Sequence, residues 1–532
     1  MRYIKWLGIM GMAGMVGAGC AETDDTPTTS TGETQSPVMT VAAAMQHDIS
    51  RPLRDIPVDR TVRERKEHPI GRFRVAGPDL EDTVVQTTHA PTPQSPLAAT
   101  TTGINVPGVG NGDFGFAPNA APPDTNGIVG STQYVQWVNE SFAVFDKKTG
   151  AIAPGFPKNG NSLWAGFGGA CETNNDGDPI VQFDKAAQRW VLTQFSVSTT
   201  PFLQCVAVST TADATGTYAR YSFSYPNFPD YPKMGVWPDG YYISFNIFTN
   251  VFQGALACAY DRTAMLAGAA ATQVCFQQPN TVASLLPSDL DGSTAPPAGS
   301  PNVFVGLATT TSLNQFKFHV DFATPANSTF TKGPAITVAS FAEACNGGTC
   351  IPQGGTKQQL DSLGDRAMYR LAYRNFGDHE AMVLSHSVSG GRRKPTGVRW
   401  YELRRAASGD FSVFQQATFQ PDAKFRWMPS VAMDKVGDIA VGYSLSSATT
   451  NPAIGYSTRT AADAPGILAN EVIFKQGGGS QLTGLARWGD YSTMSVDPID
   501  DCTFFFTSEY QKANGTFNWS TQITSFKVNG CQ

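Results

Sequence analysis

Two stretches of the chain start with Arg-Trp: RWMPSVAMDKVGDIAVGYS from Arg426 and RWGDYSTMSVDPIDDCTFFF from Arg487. In each, the Arg-Trp pair is followed by a few polar residues, an apolar run and an aspartate. The two stretches lie about sixty residues apart. In the first, two apolar runs flank a tight polar turn, which is typical of a β-hairpin. A hairpin that recurs at a steady spacing indicates a repeat fold.

Five further stretches share the pattern and start at Pro122, Gly177, Tyr231, Ser300 and Leu363. A third strand-like run, such as QCVAVSTT or GVRWYELR, follows in most of the seven units, which recur every roughly 55 to 68 residues. The sequence therefore predicts an all-β fold, a seven-bladed β-propeller over 119–532, rather than two packed β-sandwiches. The predicted inner strands lie near 124–138, 178–184, 233–237, 302–308, 365–373, 428–434 and 490–497.

Composition agrees with an all-β chain. Of 532 residues only 15% are charged, whereas 52 Gly, 35 Pro and 33 Phe supply turns and apolar packing. The net charge of −6 argues against a nucleic-acid partner, which requires a clustered basic excess.

The N-terminus is typical of an export signal. Residues 1–20 combine a basic start with an apolar run, and the GAGC that ends at Cys20 resembles the lipobox of bacterial lipoproteins. Residues 21–45 are predicted to be a polar Thr/Ser/Pro tether. Residues 46–118 form an N-terminal extension, in which GRFRVAG (71–77) or EDTVVQTTH (81–89) is the candidate for a strand that closes the ring. We expect an outer-membrane lipoprotein or secreted protein of a Gram-negative-type bacterium, monomeric and membrane-bound only through its lipid.

Eight further cysteines fit an oxidising compartment. Their even number in an exported chain suggests disulfides, and pairing between sequence neighbours is the simplest arrangement. The predicted pairs are Cys171–Cys205, Cys258–Cys275, Cys345–Cys350 and Cys502–Cys531.

Several segments resemble known propellers. APPDTNGIVGSTQYVQWVNESFAVFDK, CETNNDGDPIVQFDKAAQRWVLTQFS and YPKMGVWPDGYYIS, with YRLAYRNFGDHEAM and the stretch from Arg487, resemble a family of exported bacterial propeller-type proteins. That resemblance implies a propeller and no particular activity. FRWMPSVAMDKVGDIAVGYS is also similar to the blade of sialidases that opens with Arg-Ile-Pro, which implies that Arg426 binds a substrate carboxylate.

The residues at the starts of the predicted inner strands are the candidate site. They should converge at one mouth of the central channel, where arginines could bind an anionic ligand in paired hydrogen bonds. The predicted ligand-binding residues are Arg366, Arg426, Arg487, Lys233 and Asp124, and the catalytic candidates are Asp178, Asp365, Asp490 and His379. The alternative is a ring of Arg–Asp pairs that closes the channel and binds nothing.

One loop is a candidate for a calcium site. ETNNDGD offers oxygen ligands from Glu172, Asn174, Asp176 and Asp178. The alternative is an ordinary Asn/Asp-Gly turn, which has the same sequence pattern and binds no ion. The function predicted from the sequence is therefore binding of an extracellular polymer or partner protein through the charged mouth. The alternative is a sialidase-like glycoside hydrolase or lyase acting on an anionic glycan, and the sequence leaves open whether the protein is an enzyme.

Overall fold

The computed structural model describes residues 38–59, 65–68, 70–89, 99–390, 395–406 and 409–532. The predicted signal segment, Cys20 and most of the predicted tether lie outside these ranges. The fold is all-β, as predicted, and its two α-helices are one short turn each, at Ala170–Thr173 and Arg262–Leu266. Among the described residues, no helix is long and apolar enough to cross a membrane.

The first half of the chain builds three antiparallel sheets, in each of which consecutive strands pair side by side. Sheet 1 contains Asn126–Val129, Gln133–Val138, Ser141–Asp146 and Lys158–Asn159. Sheet 2 contains Ile180–Asp184, Arg189–Ser196, Phe202–Ser209, Tyr218–Tyr225 and the N-terminal strand Gln46–Ile49. Sheet 3 contains Phe228–Val236, Tyr241–Phe248, Phe252–Tyr260, Thr272–Gln277 and the N-terminal strand Val38–Ala43.

The second half repeats the arrangement. Sheet 4 contains Leu286–Leu290, Asn302–Thr309, Ser312–His319, Thr329–Lys332 and Ile336–Thr337. Sheet 5 contains Met368–Asn375, Glu380–Ser389, Thr396–Arg405, Ser412–Phe419 and the N-terminal strand Val85–Gln86. Sheet 6 contains Phe425–Met433, Ile439–Ser447, Thr450–Arg459 and Ala469–Lys475. Sheet 7 contains Thr493–Val496, Thr503–Gln511, Trp519–Val528 and the N-terminal strand Thr100–Pro107.

Two minor pairings and one junction complete the topology. Thr349–Ile351 pairs with Leu360–Asp361, and Lys66–Glu67 pairs with Ala120–Ala121. The first strands of sheets 4 and 5 pair in parallel, so these two form one ten-stranded sheet.

Most strand residues, apolar and polar, are buried on both faces of their sheets. Between sheets 6 and 7, the rings of Tyr456 and Phe526 stack with centroids 3.7 Å apart. At the same junction Trp427 lies against Trp488, at 5.9 Å. The repeated Arg-Trp stretches thus place their tryptophans side by side in the packing between neighbouring sheets.

The first strands of the sheets are linked in a closed cycle. One link is the parallel pairing of sheets 4 and 5, and the other six are single hydrogen bonds. These bonds join Val181 to Asn126, Gln182 to Met234, Val236 to Asp289, Ser430 to Tyr369, Met494 to Ser430, and Asn126 to Thr493. The last bond returns from sheet 7 to sheet 1, so the first strands surround a common, propeller-like channel.

Left-handed backbone recurs at or just before each of these first strands. The non-glycine residues involved are Asp124, Asp178, Tyr231, Ser284, Leu363, Met428 and Asp490, with φ between 42° and 59°. L-residues adopt this region at a cost of about 1–2 kcal/mol, so its recurrence at equivalent places marks a shared turn. That turn brings the chain to the same end of the channel in every unit.

The N-terminal region contributes to several sheets, and two sequence predictions about it are wrong. The strand that pairs with Trp519–Val528 in sheet 7 is Thr100–Pro107, neither of the two predicted segments. GRFRVAG crosses the mouth of the channel instead, and EDTVVQTTH adds Val85–Gln86 to sheet 5. Val38–Ala43, predicted to be tether, pairs with Thr272–Gln277, because an open sheet edge accepts a strand with little apolar pattern of its own.

One inner strand was also misplaced. The segment predicted near 302–308 is the second strand of sheet 4, and the strand that faces the channel is Leu286–Leu290. Its sequence, LPSDL, has a proline and an aspartate in place of the alternating apolar residues of a typical strand.

The four predicted disulfides are confirmed. The Cα–Cα distances are 5.9 Å for Cys171–Cys205, 4.0 Å for Cys258–Cys275, 5.2 Å for Cys345–Cys350 and 5.7 Å for Cys502–Cys531. Each bridge joins strands or loops of one sheet or its immediate neighbourhood, which fits folding in an oxidising compartment.

Candidate functional site

Eight charged side chains meet at the end of the channel where the first strands begin. This mouth cluster consists of Asp124, Asp178, Asp230, Lys233, Asp365, Arg366, Arg487 and Asp490. The structure therefore brings together seven of the residues that the sequence placed at this mouth and adds Asp230. All except Asp178 are almost completely buried.

Lys233 is the central cation of the mouth cluster. Its Nζ lies over two aromatic rings, 3.5 Å from the centroid of Tyr231 and 3.9 Å from that of Tyr491, and donates to the carbonyl of Pro232 at 2.8 Å. Burial lowers its pKa to about 7, although the neighbouring carboxylates, Asp178 first among them, act in the opposite direction. The amine can therefore gain or lose a proton near neutral pH.

The two arginines of the cluster are already paired. Arg366 donates from Nε to Asp365 Oδ1 at 2.7 Å and from Nη2 to the carbonyl of Gly71 at 2.6 Å. Arg487 donates to Asp490 and to the carbonyl of His68. Each guanidinium thus binds one carboxylate of the cluster and one main-chain oxygen of the N-terminal extension.

Those main-chain oxygens belong to a strap across the mouth, which consists of His68 and 70–76. The Phe73 N–H donates to Asp365 Oδ2 at 2.9 Å, and Arg72 donates to the carbonyl of Gly347 at 2.6 Å. A Cβ on Gly71 would lie 2.2 Å from the Phe248 ring, so only glycine allows the strap to pass this close to sheet 3. The strap explains the deep burial of the arginines.

The carboxylates of the cluster outnumber its cations by five to three. One oxygen each of Asp124, Asp230 and Asp490 is buried without a hydrogen-bond partner in the described part of the chain. Burial, with the charge of Asp178 as the next cause, raises the pKa of Asp230 to about 7 and that of Asp124 well above its usual value. Such carboxyl groups can hold protons near neutral pH.

Asp178 is the accessible member. It is half-buried, and no hydrogen bond from the described residues reaches its carboxylate. Burial raises its pKa, and the adjacent Lys233 is the main opposing influence. A half-buried acceptor beside a lysine whose pKa is near 7 is the part of the cluster with the most accessible surface.

An aromatic patch lies beside Arg366 of the cluster and is joined through Phe195 to Gly177, the residue before Asp178. Its members are the half-buried rings of Phe73, Phe202, Phe228, Phe248 and Phe252. Phe73 and Phe252 pack edge to face with centroids 4.5 Å apart, and the Arg366 guanidinium lies 5.1 Å from the Phe73 ring. Towards Asp178, the Phe195 N–H donates to the carbonyl of Gly177, and the Phe195 ring contacts Phe228 at 6.0 Å.

Arg426 does not join the mouth cluster, so its predicted convergence with Arg366 and Arg487 is wrong. It donates to Glu471 Oε1 at 2.7 Å and to Asp422 Oδ1 at 2.8 Å, in the outer part of sheet 6. His89, Asp422 and Glu471 bring ligand atoms within 4.8 Å of one another, but the Arg426 guanidinium already neutralises both carboxylates. The expected carboxylate-binding arginine is therefore occupied by its own chain.

His379 also lies away from the cluster. It sits in the exposed turn after the first strand of sheet 5, at the opposite end of that strand from Asp365. Its Nδ1 is 2.8 Å from Asp378, and its ring stacks on Phe376. This is the arrangement of a turn histidine.

The predicted calcium ligands do not converge. Glu172 accepts N–H bonds from Gly166 and Gly168 at 2.8 and 2.7 Å, and Asp176 accepts from Val197 and Ser198 at 2.7 and 2.8 Å. Asn174 bonds to Ser196 and Thr199, both at 2.9 Å. The Glu172 and Asp176 carboxylates are therefore occupied by N–H donors, Asn174 donates through its amide nitrogen, and Asp178 lies in the mouth cluster instead.

The sequence missed Asp230, the two tyrosines and the strap. Asp230 lies three residues before Lys233, on the far side of a bulge in the first strand of sheet 3. Nothing in the sequence distinguishes Tyr231 and Tyr491 from other aromatic residues of the core. An aspartate and a lysine three residues apart in a buried strand, FPDYPKMGV, were the signal that could have identified this group.

Deeper in the channel lies a second set of charges, the channel cluster of Gln182, Lys185, Asp289, Asp291, Tyr369 and Arg370. Arg370 donates to Asp289 and contacts Asp291, both at 2.6 Å, and its Nη1 reaches the carbonyl of Met494 at 3.2 Å. Lys185 also pairs with Asp291, whose pKa these two cations hold well below its usual value although burial opposes them. The channel below the mouth is therefore filled by paired side chains.

Comparisons with known proteins assign neither a family nor an activity. No family model matches the sequence, and neither does any curated protein. A Dyadobacter fermentans protein of unknown function is 10% identical, over 66% of this chain and 94% of that chain, with a TM-score of 0.35. A polysaccharide lyase described as an ulvan lyase is 10% identical, over 81% of this chain and 96% of that chain, with a TM-score of 0.35. An exo-β-1,3-galactanase from Phanerochaete chrysosporium is 11% identical, over 81% of this chain and 97% of that chain, with a TM-score of 0.30.

Proposed function

We propose that the chain is an exported seven-bladed β-propeller that binds a carbohydrate of the cell exterior at its mouth. The closed cycle of first strands and the seven left-handed turns support the blade count. Four disulfides support export, and the GAGC sequence supports a lipid anchor on Cys20. The propeller family that the sequence resembles would be compatible with this function.

The observation that carries the proposal is the position of Asp178 next to the aromatic patch. Sugar hydroxyls donate hydrogen bonds, and a carboxylate without a partner is a strong acceptor for them. Half-exposed phenylalanine rings offer apolar faces against which sugar rings can pack. The two features together are the usual components of a saccharide site, in which a few polar groups fix the orientation of a ligand on an apolar surface.

The balance of charge favours hydroxyl groups over an anion as the ligand at this mouth. Both arginines are held by Asp365, Asp490 and the strap, and the cluster contains more carboxylates than cations. Arg366 Nη1 and Arg487 Nε lack partners among the described residues, but both are buried, and an anion that reached them would approach uncompensated carboxylates. We therefore propose neutral sugar units here, in place of the anionic ligand that the sequence suggested.

Binding to an array of neutral and acidic oligosaccharides, followed by calorimetry on the best ligand, tests the proposal. Asp178→Asn and Phe252→Ala should each weaken binding at least about tenfold, the value of one charge-assisted hydrogen bond or one lost ring contact. Matched controls are Asp378→Asn in the exposed turn of sheet 5 and Phe414→Ala on its outer strand, where the ring is 50% exposed. Unchanged affinity in both mouth variants would place the ligand elsewhere.

A second candidate function is glycoside hydrolysis or lysis at the same edge. It is favoured by Lys233, with its pKa near 7, beside Asp178 and Asp124, whose pKa values are raised, because acid–base catalysis needs groups that exchange protons near the working pH. Release of reducing ends or unsaturated products from a bound glycan, abolished by Lys233→Met, would establish it. Binding without product over many hours would leave the binding function.

A further inference from the structure

The outer edge of sheet 3 is formed by an N-terminal strand, Val38–Ala43. It pairs antiparallel along its whole length with Thr272–Gln277. In an antiparallel pair, the N–H and C=O groups of alternate residues point away from the partner strand. No hydrogen bond from the described residues reaches that outward side, so the strand presents an open row of main-chain donors and acceptors.

This strand has none of the features that protect open sheet edges. Proteins prevent pairing at such edges with charged side chains, prolines, bulges or very short strands. VMTVAA contains six uncharged residues and neither proline nor glycine. Its pairing with Thr272–Gln277 keeps one register throughout, without a bulge. The edge is therefore free to accept another strand.

The outer strands of the other six sheets each carry a protective feature. They are two residues long, contain Asp, Glu or Lys, or, in sheet 7, end in proline and break register with the neighbouring strand. These strands are Lys158–Asn159, Gln46–Ile49, Thr329–Lys332 with Ile336–Thr337, Val85–Gln86, Ala469–Lys475 and Thr100–Pro107. Sheet 3 is the exception among the seven.

Apolar side chains are exposed along the same segment. Val38 is 66% exposed, Val41 44% and Met39 36%, and Met45 and Ile49 beyond the strand are exposed as well. Five of the thirteen large apolar side chains that are exposed among the described residues thus fall within 38–49. Such a concentration of exposed apolar side chains marks a site of association.

A second β-strand suits this edge better than a lipid surface does. Unpaired main-chain N–H and C=O groups are costly in hydrocarbon, whereas an added strand bonds to them. A membrane would cover the apolar side chains but leave these groups without partners. The expected occupant is therefore an extended chain.

The strand is complementary to a second copy of itself. A two-fold axis between Thr40 and Val41 sets these two β-branched residues opposite each other. Val38 then faces Ala43, and Met39 faces the alanine that precedes it. Large side chains thus meet small ones, and no like charges are opposed.

We infer that two copies of the chain pair antiparallel through Val38–Ala43, which joins two five-stranded sheets into one continuous sheet. This dimer replaces the monomer expected from the sequence. The inference does not rest on the function proposed for the mouth.

Sedimentation velocity on a micromolar dilution series of the mature chain tests the inference. The wild type should pass from dimer to monomer on dilution. Val41→Lys places two like charges beside the two-fold axis and should raise the dimer Kd at least about tenfold. Val41→Thr keeps an uncharged β-branched residue and should preserve the dimer. The matched control is Ile473→Lys, at a position 39% exposed on the outer strand of sheet 6, which should leave the Kd unchanged.

Amide hydrogen exchange shows whether the dimer uses this edge. Amides of Val38–Ala43 should exchange several-fold more slowly in the dimer than in Val41→Lys, while Thr272–Gln277 stays equally protected. A monomer at every concentration, or a dimer that Val41→Lys leaves intact, would overturn the inference. Slow exchange of the edge in the monomer would also overturn it, because the chain would then cover its own edge.

A membrane surface is the competing occupant. Vesicles of phosphatidylethanolamine and phosphatidylglycerol that protect Val38–Ala43 without dimer formation would contradict the pairing. Val38→Lys, at the more exposed end of the strand, provides the same decision if Val41→Lys does not fold.

Discussion

The mouth cluster and the channel cluster are neighbours along the channel, but their buried charges are balanced differently. Arg366 belongs to the first and Arg370 to the second, four residues further along the same segment. Arg370 and Lys185 face two carboxylates, so cations and carboxylates are equal in number, and one oxygen, Asp291 Oδ2, lacks a hydrogen-bond partner among the described residues. At the mouth five carboxylates share three cations, and oxygens of three of them lack partners.

The balance of charge helps to distinguish buried ionic groups that stabilise the fold from those that can bind a ligand. A balanced set that bonds to several strands holds the ring together, as Arg370 does through Asp289 and Met494. In an unbalanced set, carboxyl groups with raised pKa values can exchange protons or accept hydrogen bonds from a ligand. The following predictions test whether the two clusters differ in this way.

The largest effect is expected from Arg370→Leu in the channel cluster. It leaves Asp289 and Asp291 buried with only Lys185 as a counter-charge, which should lower the free energy of unfolding by about 3–5 kcal/mol. Urea unfolding followed by tryptophan fluorescence measures the loss. Lys317→Met, which breaks an exposed pair with Asp410, should cost at most about 1 kcal/mol. Equal losses would mean that the channel cluster does not hold the ring.

The pH dependence of stability should have opposite signs in the two clusters. The pKa of Asp230 is raised from 3.8 to about 7, so its contribution is present below pH 4 and lost as the pH rises to 7. Asp230→Asn should therefore remove a fall of roughly 4 kcal/mol in the free energy of unfolding over this range. Asp291 has a lowered pKa, so Asp291→Asn should instead remove a loss that occurs as the pH falls below 4. Urea unfolding between pH 3 and 8 measures both slopes, and equal signs would contradict the comparison.

A smaller effect is expected from the disulfide beside the mouth. Cys345–Cys350 closes the loop whose Gly347 carbonyl accepts from Arg72 of the strap. Replacing both cysteines by serine should cost about 2 kcal/mol by the loop-closure estimate for so short a loop. Amide hydrogen exchange should increase first in the strap, while the channel strands keep their protection. Uniform loss of protection would show that mouth and channel open as one unit.

The smallest effect concerns the strap itself. Arg487→Leu removes the bond to the carbonyl of His68 together with the ion pair to Asp490, and its matched variant Arg426→Leu removes a buried arginine that is also paired with carboxylates but lies outside the mouth. Trypsin should cleave after Arg72 or Arg74 roughly tenfold faster in Arg487→Leu, the equivalent of about 1.4 kcal/mol of local opening. Mass spectrometry of the fragments measures the rate. Equal cleavage in the two variants would show that the strap is not held by Arg487.

The same two arginines show how far the sequence could be used to predict the site. Both precede a tryptophan in an equivalent stretch, but Arg426 lies two residues before the left-handed Met428, whereas Arg487 lies three residues before Asp490. Side chains alternate between the faces of a strand, so a shift of one residue reverses the direction. One arginine reaches the mouth and the other reaches Glu471.

The contribution of the N-terminal extension could not be predicted from its own pattern. Val38–Ala43, Gln46–Ile49 and Thr100–Pro107 are edge strands, and their position depends on which sheet leaves an edge open. The strap is held by single hydrogen bonds to Asp365, Arg366 and Arg487, and such contacts leave no periodicity in the sequence. The disulfides were predictable because sequence neighbours among the cysteines fall within one sheet or the loop beside it.

By itself the sequence determined the all-β class, the repeated hairpins and their spacing, and the four disulfides. These depend on apolar alternation, turn residues and short separations, which are local properties of the chain. Only the tertiary structure decided which charges share the mouth, which are neutralised within the channel, and that the strap covers Arg366 and Arg487. Those outcomes depend on strand parity and on contacts between residues as far apart as His68 and Arg487, and the pKa of Lys233 depends on the burial that such contacts create.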